Sequence, residues 1–194
     1  PIIQRGSMNL ADAIRTRRSV GVFTDQPVDP ALVLELIETS VWVPNHRLTE
    51  PWRFVFLGGS AAKRYAEIRR EMALDACGLE DAEARRQVGD GTYAKFSGIP
   101  AFLAVIMKQH PDPETREEDY AACCCLTQNF LLLAWERGLG TFWKTFKRDV
   151  RLRQLLSLDN DETVVAWLHL GTPDGTIPTS RRTPPHERLT ILSE

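Results

Sequence analysis

Residues 121 to 126 read Ala-Ala-Cys-Cys-Cys-Leu, and residues 130 to 135 read Phe-Leu-Leu-Leu-Ala-Trp. Both blocks lie in one stretch, about 116 to 137, that holds neither glycine nor proline and stops at Gly138. A helix that is apolar on nearly every face must be buried on all sides. In a chain of 194 residues this predicts a central helix, or one whose last face is covered by a second subunit. Gly138 supplies the C-terminal stop.

The three consecutive cysteines in that stretch raise the question of a metal. On a helix, successive side chains point about 100° apart, so the three cannot close jointly on one ion. No second Cys or His pair stands at zinc spacing. Cys77, Cys123, Cys124 and Cys125 are therefore read as small buried core residues.

Local signals place the other elements around this rod. Asn9, with Asp12 at the capping-box position, opens a helix that ends near Arg17 and Arg18. Val20 to Phe23 is a short extended piece. Asp29-Pro30 starts a second helix, which stops at Pro44. A polar loop follows to Pro51, then a strand over Arg53 to Leu57. Gly58-Gly59 ends that strand, and Ser60 is placed to cap the next helix. Residues 61 to 96 are helical in composition and highly charged, with a break expected at Gly89-Asp90-Gly91. This region reads equally as a mobile excursion over a site or as an exposed helix. Ala101 to Met107 is a buried strand, and Pro111 and Pro113 mark a loop. Gly140 to Trp143 is strand-like, Val150 to Leu156 a short helix, and Thr163 to Leu170 a strand. Pro178, Pro184 and Pro185 make the tail extended. Strands and helices alternate, which indicates an α+β or α/β fold with a central sheet wrapped by helices. Residues 1–7, preceding Met8, look like an expression remnant, and 8–194 form one domain.

Composition then narrows the function classes. The formal charge is −2, so the whole molecule has no electrostatic pull towards nucleic acid or an anionic membrane. No apolar run approaches the roughly 20 residues needed to span a bilayer, and the first residues lack a signal-peptide core. The expectation is a cytoplasmic protein with no nucleic-acid or membrane partner. There is no Gly-x-Ser-x-Gly elbow and no Walker-type loop. Gly138-Leu139-Gly140 starts like a dinucleotide fingerprint, but Trp143 takes the third glycine's place. The four histidines lack ligand spacing, and His169, in an apolar strand, reads as a satisfied core residue. Two basic clusters remain at element ends: Arg17-Arg18-Ser19 and Arg181-Arg182. Guanidinium groups suit a terminal phosphate through forked, charge-assisted hydrogen bonds. On composition alone, solvated surface arginines are the better explanation, and spacing does not decide.

Four segments in order settle that choice. Arg17-Arg18-Ser19-Val20-x-x-Phe23 resembles the N-terminal signature of the nitroreductase family. Pro44-Asn45-His46-Arg47-Leu48-Thr49-Glu50-Pro51-Trp52-Arg53-Phe54 resembles that family's Pro-Trp segment, with a His46-Arg47 pair closer to its small, minimal branch. Gly138-Leu139-Gly140-Thr141-x-Trp143-Lys144 is similar to the segment after the family's long helix, and Leu170-Gly171-Thr172-Pro173 to its closing strand and turn. The resemblance covers residues 8 to 183.

It implies an α+β fold with a mainly antiparallel sheet, an intertwined homodimer and one FMN at each of two subunit interfaces. It also implies NADH or NADPH as hydride donor and ping-pong transfer to nitro compounds, quinones or similar small acceptors, with the chemistry on the flavin rather than on a catalytic side chain. By the same resemblance Arg17, Arg18 and Ser19 hold the phosphate or ribityl chain, and Arg181 or Arg182 adds a cation from the tail. His46 reaches the partner's flavin, with Arg47 beside it. Trp143, Lys144 and Thr145 run along the ring. Residues 133 to 138 match a nicotinamide-associated stretch but are apolar here and are read as core. Trp42 and Phe142 are candidates to line the open face of the ring, with core packing the expected role of each. One position departs from the pattern: many members carry Lys or Arg two residues after the signature serine, near the flavin N1–O2 edge, and here it is Gly21. Arg47 or Lys144 is expected to supply that charge. A dehydrogenase or dehalogenase-like reductase on the same fold, a non-catalytic flavin-binding or sensing protein, and a flavin-free interaction domain are the competing readings.

Overall fold

The computed structural model describes residues 8–177 and 179–192. The proposed expression remnant and Pro178 lie outside the described residues. Among the described residues six helices and four strands follow in the order α1 (Leu10–Thr16), α2 (Pro30–Ser40), β1 (Trp52–Gly58), α3 (Gly59–Ala76), α4 (Ala82–Ser97), β2 (Ala101–Lys108), α5 (Pro113–Glu136), β3 (Gly140–Lys144), α6 (Val150–Leu155) and β4 (Glu162–Gly171). Two short 3-10 turns, His46–Leu48 and Pro185–Arg188, complete them. The sheet has the order β1-β2-β4-β3 with every pairing antiparallel. This is the expected α+β fold, with helices on both faces.

Strand alternation divides the core in two. Leu103 and Val105 of β2 and Leu168 and Leu170 of β4 pack with Leu126, Phe130 and Ala134 of α5 and Val33 and Leu36 of α2. Phe102, Ala104, Ile106 and Trp167 face the other way, onto Tyr65, Ala66 and Ile68 of α3 and Phe96 of α4. Residues 61 to 96 are thus two helices seated on the sheet.

α5 fills the central position its composition demands, but one stripe stays open. Ala121, Cys125 and Gln128 are exposed and Leu132 is half-buried, at spacings of four, three and four, so they share one face. This corrects the reading of the cysteines as core. Cys123 is buried, with its thiol pushed up to about 12 by desolvation first, whereas Cys77 and Cys124 are half-buried and Cys125 is exposed.

Four further local expectations are corrected. α4 runs straight through Gly89-Asp90-Gly91; the break falls at residues 77–81, where Gly78 has φ +61° and the Asp81 side chain caps Ala84 N–H. Ser60 lies inside the first turn of α3, behind Gly58 as cap. Pro113 is the first residue of α5, capped by Asp112, rather than a loop residue. The tail carries a 3-10 turn at Pro185–Arg188.

Candidate functional site

Residues 17 to 23 leave the end of α1 and run along the open edge of β3. Val20 N–H donates to the Thr141 carbonyl (2.9 Å), Thr24 N–H to the Thr172 carbonyl (2.9 Å) and Asp174 N–H to the Val22 carbonyl (3.1 Å). Ser19 bridges Thr141 in parallel, and Phe23 bridges Pro173. Such close approach needs glycine on both strands. A Cβ at Gly140 would meet Pro173 Cγ at 2.9 Å and the Gly171 carbonyl oxygen at 3.1 Å, and one at Gly171 would meet Phe23 at 2.8 Å. The β3 and β4 glycines therefore set where Arg17, Arg18 and Ser19 stand.

The fold brings Arg17 and Arg18 together with Arg182 from the opposite end of the chain. The Arg17 guanidinium is half-buried, and its pKa is lowered, first by desolvation and then by the charges of Arg18 and Arg182. No salt bridge to Arg17, Arg18, Arg181 or Arg182 occurs among the described residues. Arg18 is otherwise engaged: its Nη1 donates to the Arg15 and Arg17 carbonyls (2.7 and 2.8 Å) at the C-terminus of α1, and its Nε is buried without a partner. Arg181 and Arg182 are exposed, and Arg182 donates to the Arg181 carbonyl. Ser19 is exposed beside this cluster. Converging cations with no carboxylate repel one another, and a phosphate relieves that repulsion.

Trp143, Lys144 and Thr145 lie at the far end of β3, where two cavities meet. The larger, about 680 Å³, is lined by all three together with Tyr120, Arg148 and Val165. The smaller, about 190 Å³, is lined by Lys144, Thr145, Arg69, Lys95, Lys147 and His169 among others, and by no carboxylate. Lys144 Nζ sits 3.6 Å from the centroid of the Phe142 ring. His169, opposite Phe142 in the β3–β4 ladder, is 6% exposed and packs against the Phe96, Phe102 and Phe142 rings. Its pKa is lowered to about 4 by burial, then by Lys144, Arg69 and Lys95, so it is neutral at pH 7. It is buried as expected, but it also lines a basic cavity, together with Arg69 and Lys95, which the sequence does not single out. They come from α3 and α4, and nothing in their sequence spacing links them to β3.

His46 and Arg47 are not brought to this place within the chain. Their loop folds back through Asn45, whose side chain donates to Thr49 Oγ1 (3.0 Å) and accepts from Glu50 N–H (2.8 Å). It docks on the start of α5: the His46 ring Nδ1 is 2.8 Å from Glu118 Oε2, and Thr49 donates to the buried Asp119. Arg47 lies near Asp112, at φ 60°. The α1 end of the site is tied to the other end of α5, where Trp135 Nε1–H donates to Thr16 Oγ1 (3.0 Å). At the α-helical rise, Glu118 and Trp135 are roughly 25 Å apart. Residues 133 to 138 are core only in part: Ala134 and Trp135 are buried and Leu133 is half-buried against the core, while Glu136 and Gly138 are half-buried and Arg137 is exposed and pairs with Glu35. Trp42 is 86% exposed, correcting its assignment to the core; it lines an open hollow with Leu48 and Trp52.

Among the described residues, no group of three or more His, Cys, Asp or Glu is placed to hold a metal ion, and no helix is long and apolar enough to cross a membrane.

The sequence profile of the Nitroreductase family matches residues 14–172. The chain is 34% identical over 190 residues, 94% of each chain, to YfhC of Bacillus subtilis, an NAD(P)H nitroreductase by name. It is 26% identical over 205 residues to the nitrobenzene nitroreductase of Ectopseudomonas oleovorans, covering 86% of this chain and 88% of that one. Among solved structures, a nitroreductase-like family protein from Bacillus cereus superposes with a TM-score of 0.81 at 32% identity, over 98% of this chain and 100% of the other. An FMN-bound nitroreductase from Bacteroides fragilis shares the fold at a TM-score of 0.70 and 19% identity, over 96% and 100%. The chain belongs to the nitroreductase family.

Proposed function

We propose that this protein is an FMN-dependent oxidoreductase that takes hydride from NADH or NADPH and passes it, in ping-pong fashion, to nitro compounds, quinones or similar small acceptors. The observation that carries this reading is the Arg17, Arg18 and Arg182 cluster, which has no carboxylate partner among the described residues and stands on the β3 edge that leads to Trp143–Thr145. These residues fit FMN. Arg17 and Arg182 would face the phosphate, and Ser19 offers a hydroxyl beside it. Arg18 supports them from behind by closing the last carbonyls of α1. Trp143, Lys144 and Thr145 would flank the ring, and the larger cavity leaves room beside it for nicotinamide and acceptor in turn.

When bound, FMN accepts and donates the hydride, and the protein contributes orientation, charge and exclusion of water. No side-chain acid or base is needed for hydride transfer. The neutral His169 adds no charge of its own to the cavity.

The site is proposed to be shared between two chains. His46 lies at the end of α5 remote from Arg17, about 25 Å away at the helical rise, so it would serve the flavin of a second copy. The open stripe Ala121, Cys125, Gln128 and Leu132 on α5 gives that copy a face to cover.

The test is direct. The purified protein should be yellow, with a flavin band near ~450 nm, and should oxidise NADH or NADPH when a nitroaromatic or quinone is added. Arg17→Ala should lose FMN while its far-ultraviolet circular dichroism is unchanged. Retention of FMN at wild-type affinity would refute the phosphate assignment. A yellow protein without turnover would instead indicate a flavin-binding or sensing role.

A further inference from the structure

The smaller cavity poses a question that phosphate binding does not answer. Arg69, Lys95, Lys144 and Lys147 line it together, with no carboxylate among the lining residues. Arg69 is half-buried and the three lysines are exposed, so solvent screens much of their mutual repulsion, and an anion facing them would be attracted by all four. Three of the four have local partners. Arg69 donates to Tyr65 Oη (3.1 Å) and lies 4.1 Å from the Phe96 ring centroid, and Lys95 lies 5.9 Å from that same centroid. Lys144 is seated on a different ring: its ammonium rests 3.6 Å from the Phe142 centroid.

Phe142 is also the ring that Gly21 faces. A Cβ built at Gly21 meets Phe142 Cε1 at 3.5 Å and Cδ1 at 3.6 Å, ordinary van der Waals contact. Position 21 and Lys144 therefore share one aromatic platform, although they lie on different segments. A cationic side chain at 21 and the Lys144 ammonium would occupy neighbouring space above it.

We propose that Lys144, seated on Phe142, supplies at the flavin's pyrimidine edge the positive charge that position 21 does not, with the other cations of the cavity adding to the same field. The inference rests on the flavin reading above. Reduced flavin carries negative charge at N1–O2, so a fixed cation there binds the reduced form more tightly than the oxidised form. The π face of Phe142 holds the ammonium at one place. Arg47, the other candidate cation, lies in its own chain at the far end of α5, near Asp112; it could reach the flavin only from a second copy, and the Arg47→Ala variant separates the two.

The experiment is spectroscopic reduction of the FMN-loaded protein against a reference dye. Lys144→Ala should weaken binding of reduced FMN about tenfold more than that of oxidised FMN, which lowers the two-electron midpoint potential by about 30 mV. Adding Gly21→Lys to Lys144→Ala should restore the potential, since a side chain at 21 meets no clash. Equal weakening of both redox states in Lys144→Ala, with the potential unchanged, overturns the proposal. So does a lowered potential that Gly21→Lys does not restore, or a drop on Arg47→Ala in place of Lys144→Ala. Wild-type protein that binds no FMN would instead mark failure of the underlying flavin reading.

Discussion

Substituting Gly171 by alanine tests whether the phosphate-end residues are positioned by close backbone packing. A Cβ at 171 would lie 2.8 Å from both Cγ and Cδ1 of Phe23 and 2.9 Å from its Cβ. The Phe23 Cβ cannot swing away as a side-chain tip can, so the segment carrying it must move. Overpacking of this kind costs about 1–3 kcal/mol. Displacement also strains Thr24 N–H to Thr172 O and Asp174 N–H to Val22 O, each worth about 1 kcal/mol. A total near ~3 kcal/mol corresponds to a Tm lower by roughly 6–12 °C for a domain of this size. FMN affinity should fall as well, because Arg17 and Ser19 ride on the displaced segment. Thermal unfolding followed by circular dichroism, with FMN titration by fluorescence quenching, reads both effects. A variant within 1 °C of wild type and with unchanged FMN affinity would show that the 17–23 segment is not held where these contacts place it.

Gly91→Ala should act in the opposite direction: its Cβ meets nothing within 4 Å inside α4, so removing a helical glycine should stabilise by about 0.5–1 kcal/mol, read as a higher urea midpoint. His169 gives a pH signature. Its folded pKa, about 4, lies below the unfolded value near 6.5, so the unfolded chain binds more protons between those values. The contribution of His169 to stability is thus complete above about pH 6.5, declines as pH falls through that window, and amounts to roughly 3 kcal/mol. Wild type should lose that much more stability than His169→Leu between pH 6.5 and 4 at fixed FMN concentration; parallel stability curves would contradict the buried neutral imidazole.

How far the sequence reveals this molecule depends on the range of the forces involved. Caps are local, so Asn9, Asp29 and Gly138 mark helix ends correctly. The apolar blocks of α5 and β2 are continuous and place those elements without help from elsewhere. Gly89 and Gly91 mislead because a helix tolerates glycine at about 1 kcal/mol each when packing repays it. Gly89 is buried, and a Cβ there would meet Leu74 Cδ2 at 3.1 Å, so the residue allows α3 and α4 to approach. The true break carries its own signals, Gly78 and the Asp81 cap, and these are weaker to the eye than a Gly-x-Gly. Cys125 and Trp42 look like core by composition because apolar character does not say whether the covering surface belongs to the same chain. Arg69 and Lys95 carry no local signal at all, since their cavity exists only once α3 and α4 are packed on the sheet.

An unpaired arginine is no evidence of a site in itself. Arg15 and Arg116 also have no carboxylate partner among the described residues, and an exposed cation needs none, since an exposed surface pair contributes only about 0–1 kcal/mol. What separates Arg17 from those is convergence. It is half-buried, and two further guanidinium groups lie near enough to lower its pKa. Folding brings one of them, Arg182, from the opposite end of the chain, against the repulsion. Lys144 is exposed, and what distinguishes it is only convergence: it shares a cavity with three other cations and a histidine held neutral. Unliganded, the Arg17 cluster opposes the fold that creates it, and an anion bound at either cluster should raise stability by mass action. A chain with a formal charge of −2 has enough carboxylates to neutralise both clusters, yet pairs them instead with Arg53, Arg64, Arg70, Arg86, Arg137 and Arg151. Two places where cations converge without a carboxylate among the described residues are the two ends of β3, where the proposed cofactor would present its phosphate and its reducible ring.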